Sequence, residues 1–271
     1  MDDLAGKRLA SRYQLVALLN DSKRASVYKA IDEQTFRTVA IKVVWATGSD
    51  REAIIERFRR EAQISLALNH PHILKSLDYG FQEDFVFLVM TLVEGSNLRD
   101  VINTSALPLN TIGALLSQIT SALDYIHARG VIHCDLKSQN ILFDQPDHVL
   151  LTDFGSARLT DNTNSVGPRI GTPNYMAPEQ WRGGILDRRV DLYALGVILY
   201  EMVCGTLPFI STEIEELERL HLTETPVPLR LMRPGLPAAL QAILDRALAK
   251  APTDRFTSAG EIAAAYTRAI S

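Results

Sequence analysis

Cysteine is scarce in this 271-residue chain, which contains only Cys134 and Cys204. Two thiols cannot build a disulfide framework, and alone they cannot complete a zinc site. Disulfide-stapled secreted folds and cysteine-rich zinc modules are therefore excluded. A reducing, cytoplasmic compartment is the location that this cysteine usage favours.

A strong excess of charge is also missing. The formal net charge is −4 at pH 7, which gives no support for a nucleic-acid or membrane surface. The longest apolar stretch near the end, residues 192–203, suits a buried helix but is too short to span a bilayer. The acidic start, residues 1–4, does not look like a signal peptide. We expect no nucleic-acid partner and no membrane segment in this chain.

The composition that is present is that of a globular enzyme, with 46% apolar and 22% charged residues. Segments rich in Val, Ile, Tyr and Thr predict strands at residues 13–19, 26–32, 38–44, 74–80 and 85–91. A capping box of Ser49 and Glu52 predicts a helix that ends near Asn69. Helical spacing predicts further helices at 111–129, 191–203, 236–248 and 258–270. One domain over residues 1–271 is therefore predicted, with a β-rich lobe at about 1–90, a hinge at 91–95 and an α-rich lobe at 96–271.

Four short motifs carry the chemistry. The octapeptide at residues 133–140 reads His-Cys-Asp-Leu-Lys-Ser-Gln-Asn, and Asp-Phe-Gly follows at 153–155. Val-Ala-Ile-Lys ends the third predicted strand at Lys42, and Ala-Pro-Glu stands at 177–179. In this order and spacing the set resembles the eukaryotic-type (Hanks-type) Ser/Thr protein kinases. The resemblance covers nearly the whole chain, and the motif sequences look most like those of bacterial kinases of this type.

The resemblance implies an α+β fold of two lobes, with a five-stranded antiparallel sheet plus one helix above a mainly helical lobe. ATP would bind between the lobes, and its γ-phosphoryl group would pass to a Ser or Thr hydroxyl of a protein substrate. Asp135 would accept the hydroxyl proton, Lys137 would contact the γ-phosphate, and Thr172 would bridge these two side chains. Asn140 and Asp153 would hold Mg²⁺.

The resemblance also implies the residues that contact the nucleotide. Lys42, paired with Glu61, would hold the α- and β-phosphates, and Met90 would be the gatekeeper before an adenine-binding backbone. The remaining expected contacts are Asn20, Ser22, Val27, Ala40, Thr91, Val93 and Leu142. From the residues alone, Lys42 could be a solvated strand end and Glu61 could pair with Arg57 on the helix surface.

Two further roles implied by the resemblance are structural. Glu179 would pair with Arg255 and tie the substrate-docking segment to the helical lobe. Asp191 would hydrogen-bond the backbone of the catalytic loop, and as a residue near a helix N-terminus it would also be favoured by the dipole.

The nucleotide loop departs from the family pattern. The three glycine positions hold Asn20, Ser22 and Ala25, so the close backbone approach that glycine permits is in doubt. Lys23 and Arg24 at the loop tip could contribute charge, or could simply be solvated. We therefore expect weaker ATP binding, and a pseudokinase scaffold with little or no ATP turnover is the alternative function.

Cys134 replaces the arginine that, in the family, binds a phosphate on the activation segment, here residues 153–179. Ser156, Thr160, Thr163 and Ser165 are possible phosphosites, but phosphorylation there should matter less for catalysis. A buried structural thiol is the favoured interpretation of Cys134 and a redox switch is the other.

Ser65 and Ser76 fall where the family places a packed apolar column, unless the alignment is off by one and Leu66 and Leu77 occupy it. Hydroxyls there predict a loosely held helix, or a regulatory partner or dimer that tightens it.

Overall fold

The computed structural model describes residues 4–22, 25–82, 84–103, 106–160 and 171–271. Contacts between Cα atoms divide the chain into two compact units. The first unit comprises Met1–Asn69 and Ile73–Glu94, and the second comprises His70–His72 and Gly95–Ser271. Lys23 and Arg24, at the tip of the nucleotide loop, lie outside the described residues, as do Thr163 and Ser165.

The first unit is built on an antiparallel sheet with the strand order β1-β2-β3-β4-β6-β5. All five predicted strands are present, although β5 begins two residues later than expected. A sixth strand, β1, is only two residues long, and its Leu9 pairs with Tyr13 of β2. The strands are β1 (Arg8–Leu9), β2 (Tyr13–Asp21), β3 (Ser26–Asp32), β4 (Arg37–Trp45), β5 (Ser76–Gln82) and β6 (Phe85–Thr91).

The two faces of this sheet bury different partners, because successive side chains of a strand point to opposite faces. Val39, Ile41 and Val43 of β4 belong to a core cluster with Leu4, Leu9 and residues of β2, β3 and β6. On the other face, Val86 and Leu88 pack against Phe58 and Ala62 of a helix. Lys42, one of the predicted nucleotide contacts, also lies on the helix-facing side of the sheet.

That helix, α1 (Arg51–Ala67), buries Phe58, Glu61, Ala62 and Ser65, which share one face at helical spacing. The predicted capping box does not form. A short 3-10 turn at Gly48–Asp50 precedes the helix, so Asp50 is the N-cap and Ser49 lies one residue outside. The Ser49 hydroxyl instead donates to Asp50 Oδ1 at 3.1 Å.

The second unit is mainly helical. Its central helix, α5 (Arg189–Cys204), is buried at every position from Val190 to Val203, as expected of a helix that is apolar all round. Two small antiparallel strand pairs accompany the helices: β7 pairs with β10, and β8 and β9 form a hairpin. The helices are α2 (Leu98–Ile102), α3 (Leu109–His127), α4 (Pro178–Arg182), α5, α6 (Ile214–Thr223), α7 (Leu229–Met232), α8 (Ala238–Ala247) and α9 (Ala259–Ile270). The strands are β7 (Val131–Ile132), β8 (Ile141–Gln145), β9 (His148–Leu151) and β10 (Arg158–Leu159).

Gly95 opens the long second segment of this unit at a position that requires glycine. A Cβ placed there would lie 1.8 Å from the carbonyl oxygen of Phe143. Across the residues that the structure describes, no helix combines the length and apolarity needed to cross a membrane.

Candidate active site

One face of the first unit's sheet gathers several of the predicted nucleotide contacts. Val27 is the cross-strand partner of Lys42, and Ala40 is the partner of Met90. Since Ala40 and Lys42 are two residues apart on β4, all four side chains lie on the same face. Asn20 pairs with Val27 from β2 at the sheet end that leads into the nucleotide loop.

Lys42 and Glu61 form an ion pair in which Nζ lies 2.7 Å from Oε1. Glu61 is 8% exposed and stands on the buried face of α1. A buried ammonium stays charged when a carboxylate pairs with it. This geometry favours the strand-to-helix pair over the surface pair of Glu61 with Arg57.

The nucleotide loop is closed by bonds between Ser22 and Ala25, and the Ser22 N–H donates to the Ala25 carbonyl at 3.1 Å. The Ser22 hydroxyl donates to the carbonyl of Ala25 at 2.8 Å, and its oxygen accepts from the Ala25 N–H at 3.2 Å. Neither Asn20 nor Ser22 has a positive φ. The described part of the loop therefore does not need the left-handed conformation that favours glycine.

The end of β6 and the segment after it hold the predicted adenine contacts. Met90 packs against the apolar cluster between α1 and the sheet. The Thr91 N–H donates to the Lys75 carbonyl at 3.0 Å, so this donor is already used within the unit. Val93 follows the strand and is partly buried.

In the second unit, Asp135 is held at both carboxylate oxygens. The Thr172 hydroxyl donates to Oδ1 at 2.7 Å and Lys137 Nζ donates to Oδ2 at 2.9 Å. Lys137 Nζ also lies 2.9 Å from Thr172 Oγ1, which closes a triangle of three side chains. The carboxylate, the ammonium and the hydroxyl are therefore brought together as the sequence predicts.

The backbone that presents Asp135 is fixed from α5. The two carboxylate oxygens of Asp191 accept the N–H groups of His133 and Cys134 at 2.8 and 2.9 Å. His127 also contacts Asp191 Oδ2 at 2.7 Å. Burial alone would raise the pKa of Asp191, but the hydrogen bonds and charges of these histidines lower it overall. The predicted Asp191 contact with the catalytic-loop backbone is confirmed.

Cys134 takes a left-handed backbone conformation, with φ of 63°, which is unusual for a residue that is not glycine. Its carbonyl accepts a hydrogen bond from Gln180 Nε2 at 2.9 Å, so both sides of the residue are held. Burial, and secondarily the charge of Asp191, raises the pKa of the thiol. A protonated, 3% exposed thiol fits the structural interpretation rather than the redox switch.

Asp153 and Asn140 provide oxygen donors of the kind that Mg²⁺ takes. Asn140 Nδ2 donates to the backbone carbonyl of Asp135 at 2.9 Å. The oxygen of the Asn140 side-chain amide therefore points away from this hydrogen bond. Asp153 has φ of 65°, a strained conformation typical of functional positions. No group of three or more His, Cys, Asp or Glu side chains suited to a metal exists within the described ranges. A cation here would need further oxygens, such as those of phosphates.

His133 and Phe154 pack against each other close in sequence to these donors. Their rings are 5.1 Å apart, and His133 Nε2 lies 3.1 Å from the Thr152 carbonyl. Leu142, the last predicted nucleotide contact, pairs with Leu150 across the β8–β9 hairpin and is partly exposed.

The segment that carries Thr172 is anchored at its far end by Glu179 and Arg255. Two guanidinium nitrogens lie 2.7 and 2.8 Å from the two carboxylate oxygens, in a bidentate pair. Arg255 is fully buried and also donates to backbone carbonyls, including that of Arg189 at 2.9 Å. The ion pair predicted between these two residues is present.

Beside the bond of Gln180 with the Cys134 carbonyl, a further buried contact joins this segment to residues 133–140, and the sequence did not predict it. Ser138 Oγ lies 2.9 Å from the hydroxyl of Tyr175, which in turn donates to Glu201. No sequence pattern links Ser138, which follows the motif Lys137, with Glu201, which lies in an apolar helix. The only available signal was the polar residue itself, since Glu201 interrupts the apolar run of α5.

Comparison with known proteins is consistent with this geometry. The family model described as "Protein kinase domain" matches residues 13–266. The chain is 39% identical over 274 residues to the serine/threonine-protein kinase pkn3 of Myxococcus xanthus, covering 95% of this chain and 50% of that protein. It is 36% identical over 269 residues to the serine/threonine-protein kinase PrkC of Bacillus subtilis, covering 96% and 41%. The chain thus spans half or less of the length of these curated relatives.

A solved structure extends the likeness to three dimensions. The kinase domain of Mycobacterium tuberculosis PknI superposes with a TM-score of 0.75 and 30% identity, covering 97% of this chain and 98% of that one. The predicted fold class, with its antiparallel sheet and helical second part, is confirmed by this match. With the family model covering most of the chain, the protein belongs to the protein kinase domain family and resembles the eukaryotic-type Ser/Thr kinases of bacteria.

Proposed function

We propose that this chain transfers the γ-phosphoryl group of ATP to Ser or Thr hydroxyls of protein substrates. The observation that carries the proposal is the triangle of Asp135, Lys137 and Thr172, with distances of 2.7 to 2.9 Å. It joins an acceptor for the hydroxyl proton, a cation for the transferred phosphoryl group and a hydroxyl that orients both. Kinase catalysis consists mostly of such positioning and charge stabilisation.

In the proposed mechanism Asp135 orients the attacking hydroxyl and accepts its proton, while Lys137 contacts the γ-phosphate. Thr172, which is hydrogen-bonded to both groups, holds the carboxylate and the ammonium in position. The cationic Lys137 also stabilises the charge that develops on the phosphoryl oxygens. The names of the relatives, both serine/threonine-protein kinases, support the Ser/Thr class for this chain.

Nucleotide contacts are proposed for residues of each unit. In the first unit, Lys42 would hold the α- and β-phosphates, oriented by its 2.7 Å bond to Glu61. Val27, Ala40 and Met90 would border the base on the same sheet face. Because the Thr91 N–H is already bonded to Lys75, adenine would use the Thr91 carbonyl and the backbone of Val93. Asn20, Ser22 and, from the second unit, Leu142 complete the proposed set.

Asn140 and Asp153 would hold Mg²⁺, which would neutralise phosphate charge when bound. Both side chains offer oxygen ligands of the kind that this cation takes. The hydrogen bond from Asn140 to the Asp135 carbonyl orients the Asn140 side-chain amide. Because Asp135 and Asn140 are joined through this bond, the proton acceptor and the proposed metal ligand share one rigid loop.

The alternative, a pseudokinase scaffold, has weaker support. Two departures from the family pattern favour it: the glycine-free loop, and the hydroxyls of Ser65 and Ser76 where the family has apolar residues. The loop is closed by Ser22 without positive φ at Asn20 or Ser22, and the hydroxyls of Ser65 and Ser76 bond each other at 2.5 Å. Neither departure therefore removes a group that phosphoryl transfer needs.

We propose the cytoplasm as the compartment, since Cys134 and Cys204 are both free thiols. A regulatory partner or a dimer stays a prediction, as does the assignment of residues 91–95 as a hinge.

The proposed function is tested by incubating the purified chain with radiolabelled ATP, Mg²⁺ and a Ser/Thr-containing protein acceptor. Asp135→Asn is the matched control, because it keeps the size of the side chain and removes the proton acceptor. We expect label on Ser or Thr with the wild type and a loss of about a hundredfold or more in the variant. Equal background signal in both proteins would contradict the enzyme and favour the scaffold.

A further inference from the structure

Three histidine rings lie against one another in the second unit. The turn His70–His72 stands between α1 and β5 in the chain, but its contacts place it in the second unit. The ring of His72 lies 5.7 Å from that of His70 and 4.7 Å from that of His148, the first residue of β9. All three residues are partly exposed, so protons from the solvent reach them. We call these three residues the histidine stack.

The hydrogen bonds of His70 require a neutral ring. The backbone N–H of His72 donates to Nδ1 of His70 at 3.1 Å, so this nitrogen is an acceptor and carries no proton. The proton of the neutral ring is then on Nε2, which lies 3.1 Å from the Ser121 hydroxyl and donates to it. A second proton on Nδ1 would set two N–H donors against each other and break the bond that closes the turn.

The surroundings of His70 also disfavour a positive charge. Burial, followed by the charges of His72 and Arg129, lowers the pKa of His70 from its ordinary value of 6.5. The ring is therefore neutral at neutral pH and takes up its proton only as the pH falls below the ordinary value. Beside the stack lie Tyr125 and Arg129 of α3, and Asp144 of β8, whose Oδ1 lies 2.6 Å from His148 Nδ1.

The turn that His70 closes is hydrogen-bonded to β9. The His72 carbonyl accepts from the N–H of Leu151 at 2.9 Å, and Nδ1 of His72 donates to the Val149 carbonyl at 3.1 Å. β9 ends at Leu151, and Asp153, the proposed Mg²⁺ ligand, follows two residues later. The turn therefore fixes the strand that leads into Asp153.

We propose that His70 is an acid-sensitive positioning residue, whose neutral ring holds the His70–His72 turn and, through it, β9 and Asp153. The inference rests on the proposed function for its effect on phosphoryl transfer. When His70 is protonated, its bond to the His72 N–H is lost, a positive ring faces His72 and Arg129, and β9 loses a fixed partner. Transfer then weakens through poorer binding of ATP–Mg²⁺. No residue of the histidine stack touches substrate in this scheme.

The first test compares the pH dependence of wild type with that of His70→Asn and His70→Ala. Both variants lose the ring, but the amide oxygen of asparagine accepts an N–H two residues on and does not titrate. We expect kcat/KM for ATP of His70→Asn to lie within about twofold of wild type at about pH 7.5 and to exceed it about threefold or more at about pH 5. The difference should lie mainly in KM. His70→Ala, which lacks the acceptor, should be impaired at both pH values.

Taking the ratio to wild type at each pH cancels the titration of groups that all three proteins share, such as Asp135. A ratio of His70→Asn to wild type that is the same at both pH values would overturn the proposal.

A second measurement does not depend on activity. Hydrogen–deuterium exchange of residues 149–153 is compared among the three proteins at one pH at a time, because the intrinsic exchange rate itself changes with pH. At about pH 5, wild type should exchange about threefold or more faster than His70→Asn, whereas the two should agree at about pH 7.5. His70→Ala should exchange faster than His70→Asn at both. If wild type shows no transfer above Asp135→Asn, the proposed function fails, while the exchange data still decide on His70. Equal exchange in all three proteins at both pH values would overturn the proposal.

Discussion

Thr172 donates a 2.7 Å hydrogen bond from its hydroxyl to Oδ1 of Asp135. The other oxygen of this carboxylate accepts from Lys137 at 2.9 Å. The residue proposed to accept the substrate proton is therefore oriented from both sides before any substrate arrives. A positioned base contributes to the rate only while its geometry is kept.

Replacing Thr172 tests how much this orientation matters. Thr172→Val keeps the shape of the side chain and removes the hydroxyl, so Asp135 and Lys137 lose their bridge. We expect kcat for Ser/Thr phosphorylation to fall by about ten- to a hundredfold, with little effect on the KM for ATP. Thr172→Ser, which keeps the hydroxyl, is the control and should retain most activity in the same steady-state assay. Equal losses in the two variants would show that shape, not the hydrogen bond, is required.

Ser65 and Ser76 should be energetically coupled. Their hydroxyls lie 2.5 Å apart between α1 and β5, with 5% and 7% exposure. Either single change to alanine leaves one buried hydroxyl without its partner, at a cost of about 1–3 kcal/mol. The double alanine variant should cost less than the sum of the singles, as measured by urea unfolding in a double-mutant cycle. Additive losses would contradict a direct bond between them.

This bond also bears on the expectation of a loosely held helix. Ser65 stands one turn after Glu61 on the same face of α1, and Glu61 pairs with Lys42. A satisfied hydroxyl pair holds this face on β5 instead of leaving it loose. The prediction of a partner or dimer that tightens the helix stays untested.

Ser22 should contribute to ATP binding through the shape of the nucleotide loop. Ser22→Ala removes the two hydrogen bonds that the Ser22 hydroxyl makes with Ala25 and leaves the 3.1 Å bond from the Ser22 N–H to the Ala25 carbonyl, so the turn that replaces glycine is weakened. We expect the Kd for ATP–Mg²⁺, measured by calorimetry, to rise about two- to fivefold. Ser211→Ala is the control, since Ser211 is a partly exposed serine whose hydroxyl also bonds a nearby backbone N–H. An unchanged Kd in Ser22→Ala would mean that the side chain does not shape the site.

His221 should make the stability of the protein sensitive to acid. It is fully buried, its Nδ1 lies 2.9 Å from the Tyr193 hydroxyl, and burial followed by the charge of Lys250 lowers its pKa to about 3. The ordinary value is 6.5, so the unfolded chain binds the extra proton between about pH 6.5 and pH 3. Stability is therefore complete above the ordinary pKa and is lost as the pH falls through this window.

The pH dependence can be measured by chemical unfolding between about pH 7 and pH 4. His221 should add a slope of at most about 1.4 kcal/mol per pH unit. His70, whose pKa is also lowered by burial, acts in the same direction and remains in both proteins when wild type is compared with His221→Phe. A slope unchanged by this substitution would contradict the assignment.

Contacts between motif residues could be predicted from the sequence because each motif fixes residue types at known spacing. Examples are the Lys42–Glu61 pair, the Glu179–Arg255 pair and the backbone hydrogen bonds that Asp191 accepts. The limits of elements were less certain. β1 is too short to show an alternating pattern, and Ser49 was misplaced as a cap because a 3-10 turn moves the helix start to Arg51.

Contacts between residues outside the motif pattern could not be predicted. Ser138 and Tyr175 come from two separate 3-10 turns and Glu201 from a helix, and only the tertiary fold brings them together. The same holds for Ser22, whose hydrogen bonds with Ala25 no sequence pattern indicates. In both cases a polar side chain takes a role that neither charge nor periodicity reveals.

The central claim is that phosphoryl transfer proceeds without an activation-segment phosphate. The most direct test is the initial transfer rate of a variant with alanine at Ser156, Thr160, Thr163 and Ser165, beside wild type and Asp135→Asn. With Cys134 in place of arginine and the segment held by Thr172, Tyr175 and Gln180, we predict a rate within about threefold of wild type. A loss of about tenfold or more, toward the background of Asp135→Asn, would contradict the account.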